Sequence, residues 1–237
     1  MSLLDAVRTA GVMPPLAATQ ATKKRYSEIL SRALAEELAD GLRQSGFRNV
    51  KPFRGQPGEK AFQGGLGPKR VDVSYSDDRH GLMLAGSIKT ICFEPFGKNL
   101  KNRFGDLCTE AITLHMRFPY AVVCALFAMP EAADLDLTHL RPVSTFERAR
   151  LLLGTVAERM DYSSAGERFE DVTLLLFRPM NAADATPVVR LFTAGPHHGI
   201  RRELSEAEYL SRLRELYNLR NPHAQIGIEA IGEEDDS

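Results

Sequence analysis

Cysteine is scarce in this chain: Cys92, Cys108 and Cys124 are its only three. Their number is odd, no CxxC pair occurs, and each lies in or beside an apolar run. Buried free thiols in a reducing compartment are therefore expected, not disulfides or zinc. Charge of one sign is missing too. The formal net charge is −1, so no global field announces nucleic acid and any basic surface has to be local. No run approaches the roughly 18 apolar residues of a membrane span, so no membrane partner is expected. The opening stretch MSLLDAVRTAGVMPPLAAT carries Asp5 and Arg8 without a basic leader region; a signal peptide is not expected, and a cytoplasmic location is. Dinucleotide fingerprints, a phosphate loop ending in Gly-Lys-Ser/Thr and a serine elbow are absent as well.

At 237 residues the chain suffices for one generous domain or two small ones. No repeat, linker or second core is visible, so a single α/β domain is favoured. Residues 1–21 read as an N-terminal segment with a short helix ended by Pro14 and Pro15. A helix from Thr22 to about Gln44 places Tyr26, Leu30, Leu34, Leu38 and Gly41 on one face. Glu37 falls within that stripe, whereas Glu36 lies off to the side. A carboxylate in an apolar stripe is costly unless paired; it either reaches an arginine or solvent, or serves a site.

Phe47–Phe53 reads as a strand leading into a glycine-rich loop, Arg54–Pro68. Then comes KRVDVSYSDDRHGLMLAGSIK, residues 69–89. Val71, Val73 and Tyr75 alternate with Asp72 and Ser74, the period of a half-buried strand. SDDRHG supplies turn residues. Gly81–Ile91 is a second strand, on which Lys89 shares a face with Ser87, Ala85 and Met83 by parity. An acid on one strand and a lysine at the end of its hairpin partner converge at a sheet edge. That geometry suits a metal ion beside a cleavable phosphate.

CFEPFGKNLKNRFGDL reads as a loop in which Lys98, Asn99, Lys101, Asn102 and Arg103 either contact backbone phosphates or form a solvated charge run. Asp106 is the expected cap of a helix Leu107–Arg117, with Glu110 at the border of its apolar stripe and His115 beside it. Tyr120–Met129 is nearly all apolar between two prolines, as expected for a central strand covered on both faces. Ser144 and Glu147 have capping-box spacing and open a helix to about Met160. Strands follow at Val172–Met180 and Val188–Ala194. A basic loop holds His197, His198 and Arg201, for which DNA contact and a plain surface loop both stand. An amphipathic helix Ser205–Leu219 and an acidic, disordered tail at 229–237 end the chain.

Taken together, Glu37 on a helix, Asp72 and Ser87-Ile-Lys89 on a hairpin, a further helix and a central strand resemble the PD-(D/E)xK nuclease superfamily, the fold of many restriction endonucleases. The likeness covers roughly residues 25–130 of an expected domain at 22–228; 131–228 would serve DNA reading or dimerisation. It implies a mixed central sheet flanked by helices. It departs from the family pattern in two places: Lys69-Arg70-Val71-Asp72 has no proline before the aspartate, and Ser87 stands where the family carries Asp or Glu. A hydroxyl is a poor ligand for a hard cation. Restriction enzymes with an SxK motif recover that carboxylate from the following helix, and Glu110 is the matching residue. The resemblance then implies Asp72 and Glu110 as metal ligands, Mg²⁺ as cofactor with Mn²⁺ able to substitute, and Lys89, Glu37 and Ser87 as the remaining catalytic set. Lys98, Asn99, Lys101, Asn102, Arg103, Arg117, His197, His198 and Arg201 would contact double-stranded DNA. It also implies a homodimer, self-associating through Ser144–Met160 or Ser205–Leu219, and a cognate methyltransferase or defence-system partner.

Overall fold

The alternation of side chains along one strand organises the molecule. In the computed structural model, which describes residues 1–56, 60–140, 142–181, 186–195 and 200–227, strand β5 (Val122–Pro130) is buried along its whole length. Its even-numbered residues Val122, Cys124, Leu126 and Ala128 join one hydrophobic cluster. Its odd-numbered residues Val123, Ala125, Phe127 and Met129 join the other. A strand with a period of two can do this only if both sheet faces are covered.

The covering helices fall into two layers. Helices α1 (Leu3–Ala10), α2 (Gln20–Gln44) and α5 (Glu206–Arg220) supply Leu3, Leu30, Leu34, Tyr209 and Tyr217 to the first face. Helices α3 (Phe96–His115) and α4 (Thr145–Gly154) supply Leu107, Leu114, Phe146 and Leu153 to the second. Between them lies a six-stranded mixed sheet in the order β3-β4-β5-β6-β7-β8, comprising β3 (Val73–Asp77), β4 (Gly81–Thr90), β5, β6 (Asp171–Arg178), β7 (Val188–Thr193) and β8 (Glu203–Leu204). β4, β5 and β6 run parallel, and the remaining pairs are antiparallel. The fold is thus mixed α/β, consistent with a restriction-endonuclease-like sheet. Among the described residues, no helix is long and apolar enough to cross a membrane.

Five local expectations need correction. Phe47–Phe53 is not a strand: only Lys51 pairs, with Ser74, because Pro52 lacks a ladder donor and Asn49 has positive φ. The glycine-rich stretch is a hairpin, β1 (Lys60–Gly64) with β2 (Gly67–Val71). Its glycines permit close approach to α3: a Cβ at Gly64 would lie 2.5 Å from the Thr113 methyl, and one at Gly65 2.3 Å from Met116 Cβ. The segment read as a loop before Asp106 is the first half of α3, which starts after Pro95. Phe96, Leu100, Leu107, Ala111 and Leu114 form its single buried stripe, so Asp106 is no cap and pairs with Arg103 in mid-helix. Finally, α4 stops at Gly154, and α1, expected outside the domain, buries Leu3, Ala6 and Val7 in the core. The buried residues of α4 and α5 pack in the chain's own core.

One buried polar post ties the layers together. The Glu170 carboxylate accepts from Arg159 Nη1 at 2.9 Å, Arg220 Nη2 at 3.1 Å and the Val123 amide at 2.8 Å, with His115 Nε2 at 3.4 Å. Burial acts to raise its pKa, but His115, the Val123 amide and Arg159 outweigh it and hold the group below its ordinary 4.5. A lowered folded-state pKa means that the charged form stabilises the fold above the ordinary value, and that this stability is lost as pH falls towards the folded one. Glu170→Gln should cost about 3–5 kcal/mol near neutral pH, as expected when a buried pair loses one partner. In urea titrations the gap between wild type and variant should narrow steadily as pH drops below 4.5; a gap that stayed constant would contradict the assignment.

Candidate active site

Asp72 sits at the junction where the chain leaves the small sheet, β1–β2, and enters the large one. Its Oδ2 accepts the Ile88 amide at 2.7 Å, which fixes the acid against the end of β4 beside Lys89. β4 alternates from Leu84 onward, but Met83, expected on the face of Ala85, packs with Leu84 in the other cluster, where the register against β3 shifts. Ser87 is fully buried and Lys89, two residues on, keeps 17% of its side chain exposed.

The residue that closes the site comes from the facing helix. Glu110 lies at the edge of the α3 stripe and is 1% exposed. Ser87 Oγ donates to its Oε1 at 2.6 Å. Lys89 Nζ donates to Oε2 at 2.9 Å, and Lys69 Nζ stands 3.2 Å from the same oxygen. Burial alone would depress the Lys89 pKa; the carboxylates of Glu110 and then Asp72 outweigh it, and the group is raised. Two acids from different elements therefore act on one ammonium, at a site whose serine offers no charge of its own.

Beside this cluster a groove of about 640 Å³ is lined by Lys69, Lys89, Lys101, Asn102 and Thr109. Asp72 itself lines a second groove, of about 680 Å³, with Glu28, Arg32, Glu36 and Arg70. Glu37 is not brought to either. Its carboxylate accepts the Ser2 amide at 2.9 Å and pairs with Arg54, so the arginine outcome for this stripe carboxylate is the one realised. Lys69 and Glu36 are the site-lining residues that the sequence reading did not single out. Lys69 opens the stretch expected to form the site hairpin but matches no motif position, and Glu36 lies off the apolar stripe.

The residues expected to contact DNA scatter. Lys98, Lys101, Asn102 and Arg103 are exposed on the first half of α3, whereas Asn99 is half-buried and reaches the Phe93 carbonyl. Arg117, at the opposite end of that helix, lines a separate groove with Phe118, Tyr120 and His223. Arg201 is held by Asp134 at 2.6 and 2.8 Å and by Glu147 at 3.0 Å, so it is committed within the fold. His197, His198 and the acidic tail lie outside the described residues.

For a metal, the donor chemistry is sparse but suitable. Among the described residues no three His, Cys, Asp or Glu side chains gather as a ligand cluster. Magnesium, however, is commonly held by one or two carboxylates, water and substrate phosphates. Asp72 and Glu110, both acting on Lys89, provide two. Comparison with protein-family models, curated proteins and solved structures finds no match to this chain.

Removing the Ser87 hydroxyl leaves a buried carboxylate oxygen without its donor. Ser87→Ala should destabilise the protein by about 1.5–3 kcal/mol, the range for a hydrogen bond to a charged group. Chemical denaturation checks this; an unchanged midpoint would mean that Glu110 is not held by Ser87 in solution.

Proposed function

We propose that this protein is a Mg²⁺-dependent DNA endonuclease of restriction or phage-defence type, hydrolysing phosphodiester bonds in double-stranded DNA. The observation that carries this reading is Glu110, a buried helix carboxylate bonded to both Ser87 and Lys89. It supplies the acid that position 87 lacks. Asp72 and Glu110 would hold the cation, with Mn²⁺ able to replace it. When bound there, the ion supplies Lewis-acid polarisation of the scissile phosphate and a lowered pKa for water.

Lys89 orients the attacking water or neutralises charge that builds on the phosphate, and it borders the lysine-lined groove with 17% of its side chain exposed. Ser87 holds Glu110 in place. Glu36, in place of Glu37, is the α2 carboxylate that faces the groove with Asp72. Lys98, Lys101, Asn102 and Arg103 offer exposed phosphate contacts along α3, with a local basic surface on a chain of net charge −1. Residues beyond β5 would serve sequence reading. A homodimer is proposed only because cutting both strands of a duplex takes two active sites, and a cognate methyltransferase or defence-system partner would accompany such an enzyme in a reducing cytoplasm.

A second reading is favoured by the same carboxylate. Glu110 already accepts from Ser87 and Lys89 and has Lys69 beside it, as a purely structural ion pair would. On that reading the protein is a catalytically inactive nuclease-fold subunit that binds nucleic acid or a partner protein.

Incubation with plasmid and phage DNA separates the two. Wild type with Mg²⁺ should give discrete fragments that vanish with EDTA, with Asp72→Ala and with Lys89→Ala, at a rate loss of at least 100-fold. Glu36→Ala should lower the rate, whereas Glu37→Ala should chiefly lower the melting temperature. Intact DNA in every lane from folded protein would favour the inactive subunit.

A further inference from the structure

Two ammoniums share one oxygen of the Glu110 carboxylate: Lys89 Nζ lies 2.9 Å from Oε2, and Lys69 Nζ lies 3.2 Å from it. The two ammoniums arrive from different elements. Lys89 is fixed at the end of a buried central strand, with 17% of its side chain exposed. Lys69 belongs to the β1–β2 hairpin, outside the main sheet, with 32% exposed.

That hairpin is seated on α3 by backbone: the Gly65 amide donates to the Thr113 carbonyl at 2.8 Å, and Gly64 and Gly65 have no room for a side chain there. Its position is thereby set relative to the helix that bears Glu110. The hairpin therefore delivers Lys69 to the border between a buried oxygen and an open groove shared with Lys101, Asn102 and Thr109. A lysine is a compact charge on a flexible stem with no fixed pairing geometry, so exchanging one anionic oxygen for another needs only side-chain rotation.

We propose that Lys69 is a substrate-phosphate ligand which, in the protein without substrate, is held on Glu110 Oε2, so that it couples phosphate binding to divalent-cation binding. This rests on the nuclease reading above. A cation at Glu110 and the Lys69 ammonium repel each other and draw on the same oxygen. A DNA phosphate in the groove takes Lys69 away, which removes a competing positive charge from Oε2 and opens that oxygen to a cation. Each ligand thus improves the affinity for the other, and by linkage the two factors are equal. Lys89 is too buried and too firmly placed to play this part.

The test is calorimetric and needs no cleavage. Ca²⁺, used as a probe cation, is titrated into wild type, Lys69→Met and Lys69→Arg, with and without a short duplex. Binding of the same duplex is measured in EDTA across a range of salt. Wild type should bind Ca²⁺ roughly tenfold tighter with duplex present, within the usual span of coupling factors. Lys69→Met should bind Ca²⁺ roughly tenfold tighter than wild type without DNA and lose most of the coupling. Its duplex affinity in EDTA should fall, with a salt slope smaller by about one ion. Lys69→Arg should retain the salt slope. Asp72→Asn locates the cation, since it should abolish Ca²⁺ binding in every background.

An unchanged salt slope in Lys69→Met overturns the phosphate role, and unchanged Ca²⁺ affinity overturns the competition. If Ca²⁺ binds neither wild type nor Lys69→Met, the coupling falls together with the metal-dependent reading. If Ca²⁺ binding is lost with Asp72→Asn but indifferent to Lys69, the nuclease reading stands and this proposal alone fails.

Discussion

A carboxylate at 1% exposure cannot stay charged without partners, because desolvation penalises the ion more than any other form of the group. Glu110 meets that constraint by drawing on three side chains from two separate strands: Ser87 and Lys89 from β4 and Lys69 from β2. The helix that bears it, the central sheet and the outlying hairpin are thereby pinned at one point. Asp72 adds a fourth tie, because it takes the Ile88 amide at the junction of the two sheets. The site is where secondary elements with different cores are obliged to meet.

Much of this was readable in the chain, for reasons that can be named. Parity along 85–89 puts Ser87 and Lys89 on one face, although it fails at Met83, where the register against β3 shifts. The continuous apolar run at 120–129 meant a strand buried on both sides, and β5 splits between the two clusters as that requires. Side-chain caps at Ser144 and Ser205 mark real helix starts. What misled was local signal overridden by tertiary contact. Glycines at 64, 65 and 67 look like a loop until α3 supplies the surface that forbids side chains at Gly64 and Gly65, while Gly67 takes a positive φ in the turn. Lysines and asparagines at 98–103 look like a loop until Phe96 and Leu100 are counted into the same stripe as Leu107.

The choice between Glu36 and Glu37 carries a more general point. The helical wheel placed Glu37 correctly within the buried stripe, and this is why it proves structural: a residue centred on the stripe points into packed core, where Arg54 and the Ser2 amide satisfy it. A groove-facing residue has to sit off the stripe, as Glu36 does. Burial of an acid on a helix therefore selects against its reaching substrate unless the helix edge opens onto a cavity, the arrangement found at Glu110.

Two buried carboxylates of this fold can be told apart by the cations they keep. Glu170 is held by Arg159 and Arg220, whose planar forks fix geometry and bring several donors each. Both partners are almost fully buried, and no open groove containing Glu170 is needed to explain any of them. Glu110 instead keeps two lysines, single point charges that stay partly exposed beside a groove. Arginines suit a post that must not move. Lysines suit a carboxylate whose partners have to be exchangeable, and an exchangeable partner at a half-open cluster of two acids is the physical signature on which the catalytic interpretation rests.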